Sequence, residues 1–229
     1  MILNDERNPP IATLVGRLKS ELVLKLIFLV TLLALVYAPY FFLQRHHFFA
    51  TNDVPVSFFD RLIPFSDQAV WPYLSIYLLM PVGPFLMKHR DQIFGYVTGA
   101  VLISLVADII FLFWPTTCPR SPAASTNMAY LALTAVDNSF HAFPSLHAAF
   151  AVYSALCAGL VFRELGVGRR WRFGIWVWTF WILYATLATK QHVLMDILAG
   201  STLGFMAYAA VFGHKISIFK DKRSLQPIP

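Results

Sequence analysis

Residues 22–42 read LVLKLIFLVTLLALVYAPYFF, a run broken by one charge, Lys25. At 1.5 Å per residue, a helix of this length is about 31 Å long, matching a bilayer hydrocarbon core of about 30 Å. Five further apolar segments follow, at 69–87, 93–114, 146–162, 173–189 and 193–213. All are continuous rather than alternating with period two, which favours helices over barrel strands. The expected fold is therefore all-α: a polytopic membrane protein with six transmembrane helices in one bundle. No internal repeat or low-complexity tract divides the chain, so residues 1–229 are expected to form one domain.

Composition agrees. Charged residues make up 13% of the 229-residue chain, against about 25% in a soluble domain. The mean hydropathy is +0.61. A net charge of +6 would suggest nucleic acid in a soluble protein; here it fits basic loops facing anionic headgroups, and no nucleic-acid partner is expected. Two cysteines, Cys118 and Cys157, support no disulfide framework and match no metal-binding spacing. The polar leader, 1–21, is longer and more polar than that of a cleavable signal peptide, so the first apolar run reads as a retained anchor.

The 18 lysines and arginines then orient the bundle. Fourteen fall in the leader and the start of the first segment, the second-to-third and fourth-to-fifth connections, or the tail. The positive-inside rule makes that side cytoplasmic. Both termini, including the basic tail 214–229, are then inside. Arg45, Arg61, Arg120 and Lys190 are left on the opposite face. Headgroup contact accounts for the first two, whereas Arg120 and Lys190 have neighbours that suggest more.

The neighbours of Lys190 are KQHVLMDILAG, residues 190–200. His192 and Asp196 are four apart and share one helix face. Ionisable groups at a membrane edge tend to pair and to face the bundle interior. An aspartate accepting the Nδ1 proton of a histidine fixes the tautomer and leaves Nε2 with its lone pair, the orienting logic of a catalytic triad. The plainer reading is a structural pair closing a helix start.

A second polar cluster, HAFPSLHAAF at 141–150, opens the fourth apolar segment. Pro144 suits a first helical turn. The N–H groups after it, with the helix dipole, favour an anion. Ser145 can add a hydroxyl, and His147 can exchange a proton near neutrality. Arg120, Ser145, His147, Lys190, His192 and Asp196 all fall at the non-cytoplasmic helix ends. Together they suit a tetrahedral anion and phosphoryl transfer, where positioning and charge stabilisation dominate.

With PSLH followed by HVLMD in a six-segment chain, the sequence resembles the type-2 phosphatidic acid phosphatase superfamily of membrane lipid phosphatases and phosphotransferases. Its usual pattern is K-x6-R-P, then P-S-G-H, then S-R-x5-H-x3-D. The FPSLHAA and KQHVLMDILAG versions, with DRLIPFSDQAVWPYLSIY earlier, look closest to the inositol phosphorylceramide synthase-like branch. There are departures. Leu146 replaces the motif glycine, Phe113 stands where the first lysine would be, the order at 119–120 is Pro-Arg, and Ala185 and Thr186 replace Ser-Arg.

The resemblance implies that His192 attacks phosphorus and becomes a phosphohistidine, oriented by Asp196. His147 would protonate the leaving oxygen and then act as base. Ser145, Lys190 and Arg120 would hold the non-bridging oxygens. Asp137, Asn138 and His141 are candidates for an acceptor or headgroup pocket. The implied substrate is a membrane lipid phosphate, a polyprenyl pyrophosphate or a phospholipid, with water or a lipid alcohol as acceptor. No cofactor and no metal are expected. The implied location is a bacterial inner membrane or its equivalent, with the site on the periplasmic or lumenal side. An alternative from another class is a transporter or metal-handling protein using His141, His147, His192 and Asp196 as ligands. Asp60 is read either as a headgroup ligand or as a cap on a short interfacial helix. Asp108, within the third run, is expected to face a polar partner inside the bundle.

Overall fold

A computed structural model describes residues 9, 11–46, 48–119, 125–137 and 139–224, with side chains described through 213. The short helix α1 (Ile11–Lys19) precedes α2 (Leu22–Arg45), the first apolar run. After a loop carrying α3 (Phe58–Leu62), the second run, Asp67–Leu86, is broken into a 3₁₀ turn and three short helices, α4 (Val70–Leu74), α5 (Ile76–Leu79) and α6 (Val82–Leu86). The single helix expected over 69–87 is thus corrected. Pro72, Pro81 and Pro84 lack the N–H that an unbroken ladder needs. Ser75 helps mend the first break, donating its hydroxyl to the Pro72 carbonyl (2.6 Å) and accepting from Trp178 Nε1 (2.8 Å).

Then come α7 (Arg90–Phe113), α8 (Met128–Val136), α9 (Leu146–Glu164), α10 (Arg169–Ala188) and α11 (Leu194–Ser224). The last helix runs eleven residues beyond the apolar limit at 213. Beside an isolated Thr117–Phe140 bridge, Asn52–Asp53 (β1) and Thr116–Thr117 (β2) form a two-residue parallel ladder, the one strand pair among the described residues. It ties the connection after α2 to the one after α7.

The protein is an all-α membrane protein. Five described helical segments, the broken second run among them, are long and apolar enough to cross a bilayer. The segment over 173–189 is also helical, as α10, but its arginines and four tryptophans make it less apolar than the other five.

Helix α9 is the hub. Two-thirds of its apolar window is buried, against a ninth for α2. Its alanines at 148, 149, 151, 155 and 158 let neighbouring backbones come close, the usual basis of helix association where lipid supplies no hydrophobic drive. Tyr153 of α9 lies over Gly99 and donates to the Tyr96 carbonyl of α7 (2.9 Å). On the basic side, Arg17 meets Glu164 at 3.3 Å, and Gln92 donates to the same carboxylate at 2.7 Å, joining α1, α7 and α9. Asp108 Oδ1 is buried without a hydrogen-bond partner, so the polar contact expected for it is not met at that atom.

Candidate active site

The turn between α10 and α11 positions His192. Lys190 N–H donates to the Leu187 carbonyl and Gln191 N–H to that of Thr186, the double bond that closes a helix end when the next residue is left-handed. That residue is usually glycine; here it is Lys190, at φ 57°. A side chain in this region costs about 1–2 kcal/mol. Two bonds offset the cost: Lys190 Nζ donates to the carbonyls of Asp60 (2.9 Å) and Ile63 (2.5 Å). The ammonium is thus a strut to α3, and Lys190 is not among the residues that line the groove described below.

Asp60 completes the strut. One carboxylate oxygen accepts from the Ser57 N–H (2.8 Å) and hydroxyl (2.5 Å), and the other accepts from the Leu194 N–H (2.7 Å). It caps α3 and α11 together, and its charge lies at the positive end of the α11 dipole. Of the two readings offered for Asp60, the structure shows the cap and extends it to a second helix. Asp60→Ala is expected to cost about 1–2 kcal/mol of stability and, by loosening the His192 turn, about tenfold to a hundredfold in turnover. Thermal unfolding and turnover of the purified variant check both numbers.

Past the turn, Asp196 is completely buried. Its Oδ2 accepts from the Val193 N–H at 3.0 Å and lies 3.3 Å from His192 Nδ1. A carboxylate only accepts, so Nδ1 carries the hydrogen and the lone pair is on Nε2. Asp196 Oδ1 is buried with no hydrogen-bond partner. Its carbonyl accepts from the Ser145 N–H (3.1 Å), which locks the start of α9 to the start of α11.

Ser145 is the N-cap of α9, its hydroxyl oxygen accepting from the Ala148 N–H at 3.2 Å. It is fully buried and does not line the groove. His147 stacks on Tyr73, ring centres 3.9 Å apart, and its Nε2 lies 2.9 Å from the Tyr73 carbonyl. That carbonyl can only accept, so Nε2 is protonated and Nδ1 is the nitrogen that exchanges a proton. Tyr73 lies in the DRLIPFSDQAVWPYLSIY stretch, where nothing in the sequence singles it out as a site residue.

His147 and His192 line the head of one elongated groove, together with Asp137 and His141. Asp137 Oδ1 accepts from Tyr40 (2.6 Å) and Gln44 (2.8 Å) of α2. His141, at φ 61°, packs against Phe111 and Tyr40. Arg120 and Asn138 lie outside the described residues. Among the described residues, no group of three or more His, Cys, Asp or Glu side chains is gathered as a metal would need. The ligand set of the metal-handling alternative is therefore not assembled.

The structure thus places His147, His192, Asp137 and His141 along one groove lining, with Asp196 behind His192, and gives Ser145 and Lys190 other partners. What it defines is a membrane-embedded helical protein with a polar, two-histidine pocket at one end of its bundle. The model of the PAP2 superfamily matches residues 41–210, most of the chain, and the protein belongs to that superfamily of lipid phosphatases and phosphotransferases. Over 79 residues it is 32% identical to the catalytic subunit of inositol phosphorylceramide synthase from Schizosaccharomyces pombe. That stretch is 34% of this chain and 17% of the yeast protein, so the chain covers only a small part of its relative. No solved structure matches the chain.

Proposed function

We propose that the protein is a metal-independent lipid phosphatase, acting on a lipid phosphate monoester or polyprenyl pyrophosphate at the non-cytoplasmic face through a phosphohistidine. The observation that carries this reading is the His192–Asp196 pair, its Nε2 lone pair left by the Nδ1 contact, at the head of an apolar groove shared with His147. His192 Nε2 attacks phosphorus as the bond to the leaving oxygen breaks, and His147, carrying a hydrogen on both ring nitrogens in this step, gives its Nδ1 proton to that oxygen and is left neutral. His147 then takes a proton from water, whose oxygen attacks phosphorus and breaks the P–N bond. Asp196, buried without solvent, stabilises the imidazolium that forms. Arg120 is our candidate for holding the non-bridging oxygens. Six spans with both termini cytoplasmic remain part of this proposal, α10 being the sixth.

A second reading is transfer of a phospho-headgroup to a lipid alcohol. It is favoured by Asp137, which Tyr40 and Gln44 hold at the groove lining, and by the similarity to a phosphorylceramide synthase subunit. Purified protein should be given lipid phosphates, polyprenyl pyrophosphates and phospho-headgroup lipids in the presence of a chelator. Free phosphate marks the first reading and a labelled headgroup on a second lipid marks the other. Activity that disappears with chelator would sink both.

A further inference from the structure

The groove does not end at the histidines. Along α2 it is lined by one continuous helix face, from Lys25 through Leu29 and Leu33 to Tyr40. The facing wall comes from the broken second run, where Tyr77 and Phe85 line it, and from α7. From Lys25 to Tyr40 is 15 residues of helix, about 22 Å. That exceeds one leaflet's share, about 15 Å, of a hydrocarbon core about 30 Å thick.

Two polar links join the walls. At the far end, buried Lys25 donates to the Phe85 carbonyl (2.8 Å) and the Arg17 carbonyl (2.7 Å), so its stem forms a floor. Nearer the head, the Tyr37 and Tyr77 hydroxyls are hydrogen-bonded at 2.8 Å on the exposed side. The prolines of the second run leave this wall as short helices, and the channel follows the break.

Resting on the phosphatase or phosphotransferase reading of the head, we infer that this groove seats one extended hydrocarbon chain of the substrate lipid and measures its length, with Lys25 and Phe85 as the stop. A chain reaching the floor fills the apolar wall along its whole length, whereas a short chain leaves the lower part unfilled. A chain held in lipid has no water to escape, so each added methylene contributes by packing against the groove wall, and catalytic efficiency should climb with chain length until the floor is met. Beyond about 22 Å, further carbons cannot enter, and efficiency should level off.

The test uses the purified full-length protein and single-chain phosphates of 8 to 24 carbons, presented in mixed micelles at fixed surface concentration. Wild-type kcat/KM should rise at least a hundredfold from the shortest chain to a plateau. Leu33→Trp and Leu29→Trp place an indole at two depths, four residues and about 6 Å apart. The long-to-short ratio should fall at least tenfold in both, with the plateau reached at a shorter chain in Leu33→Trp than in Leu29→Trp. Leu35→Trp, on a face that does not line the groove, should keep the wild-type ratio.

A flat chain-length profile in an active wild-type protein would overturn the measuring groove while leaving the phosphatase reading intact. The same holds if both tryptophan variants keep the wild-type ratio. If no member of the series releases phosphate or passes it to an added lipid alcohol, in protein that is folded by thermal unfolding, the reading of the head is overturned instead, and the groove assignment with it.

Discussion

Purified His192→Ala protein is expected to lose turnover by at least about ten-thousand-fold while unfolding within a few degrees of the wild type. The magnitude follows from losing a nucleophile rather than a contact, since members of a catalytic unit act together and their removal is grossly non-additive. Folding should survive because the turn is held by other groups: the Lys190 strut, the Asp60 cap and the Asp196–Val193 bond. Asp196→Asn is expected to show a comparable loss for a different reason. Its carbonyl oxygen could keep the Val193 N–H, but the imidazole would no longer have a charge to fix its tautomer or to balance the imidazolium. Phosphate release and thermal unfolding, measured on the same preparations, separate chemistry from folding. Near-normal turnover in folded His192→Ala protein would end the phosphohistidine mechanism.

The His–Asp pair was legible because helical spacing alone puts residues 192 and 196 on one face, and its contact is local. His147 was legible as a helix-start histidine beside a proline, for the same reason. The cations were not. Lys190 has the right residue type in the right turn, yet nothing local says that its ammonium finds carbonyls of residues 60 and 63, some 130 positions away. Ser145 is expected to lend a hydroxyl to phosphate, and the structure adds a cap that its oxygen makes to the Ala148 N–H, a need that a serine before a helical run often meets. The fold divides in the same way. Long apolar runs declare membrane helices, but the three prolines of the second run were visible in the sequence and were outweighed by its hydropathy. Asp60 had a readable local signal in the Ser57–Asp60 spacing of a capping box, whereas its bond to Leu194 depends on tertiary packing. The groove is not legible in the sequence at all, because it is the gap between α2 and a broken wall rather than a property of either.

The second large effect concerns a glycine pair that touches no substrate. Gly200 and Gly204, in GSTLG at 200–204, have the small-xxx-small spacing that lets membrane helices approach backbone to backbone. A Cβ on Gly200 would fall well inside van der Waals distance of the Ser145 carbonyl oxygen and 3.2 Å from the Ala148 side chain. A Cβ on Gly204 would meet the Ala149 carbonyl in the same way. The obstacles are helix backbone, which cannot rotate aside as a side chain can. α11 must therefore move from α9, and the Ser145 N–H to Asp196 carbonyl bond lies in the path of that movement. Since His192 and Asp196 begin one helix and His147 the other, the separation is transmitted directly to the reacting groups. Gly200→Ala is expected to cost about 1–3 kcal/mol of stability by overpacking and about a hundredfold in turnover for a displacement near 1 Å. Gly159→Ala in α9, where a Cβ would meet nothing within 4 Å, is the matched control and should be neutral or slightly stabilising. If Gly200→Ala protein unfolds and turns over like the control, the start of α11 is not held against α9 as described, and the two histidines owe their alignment to something else.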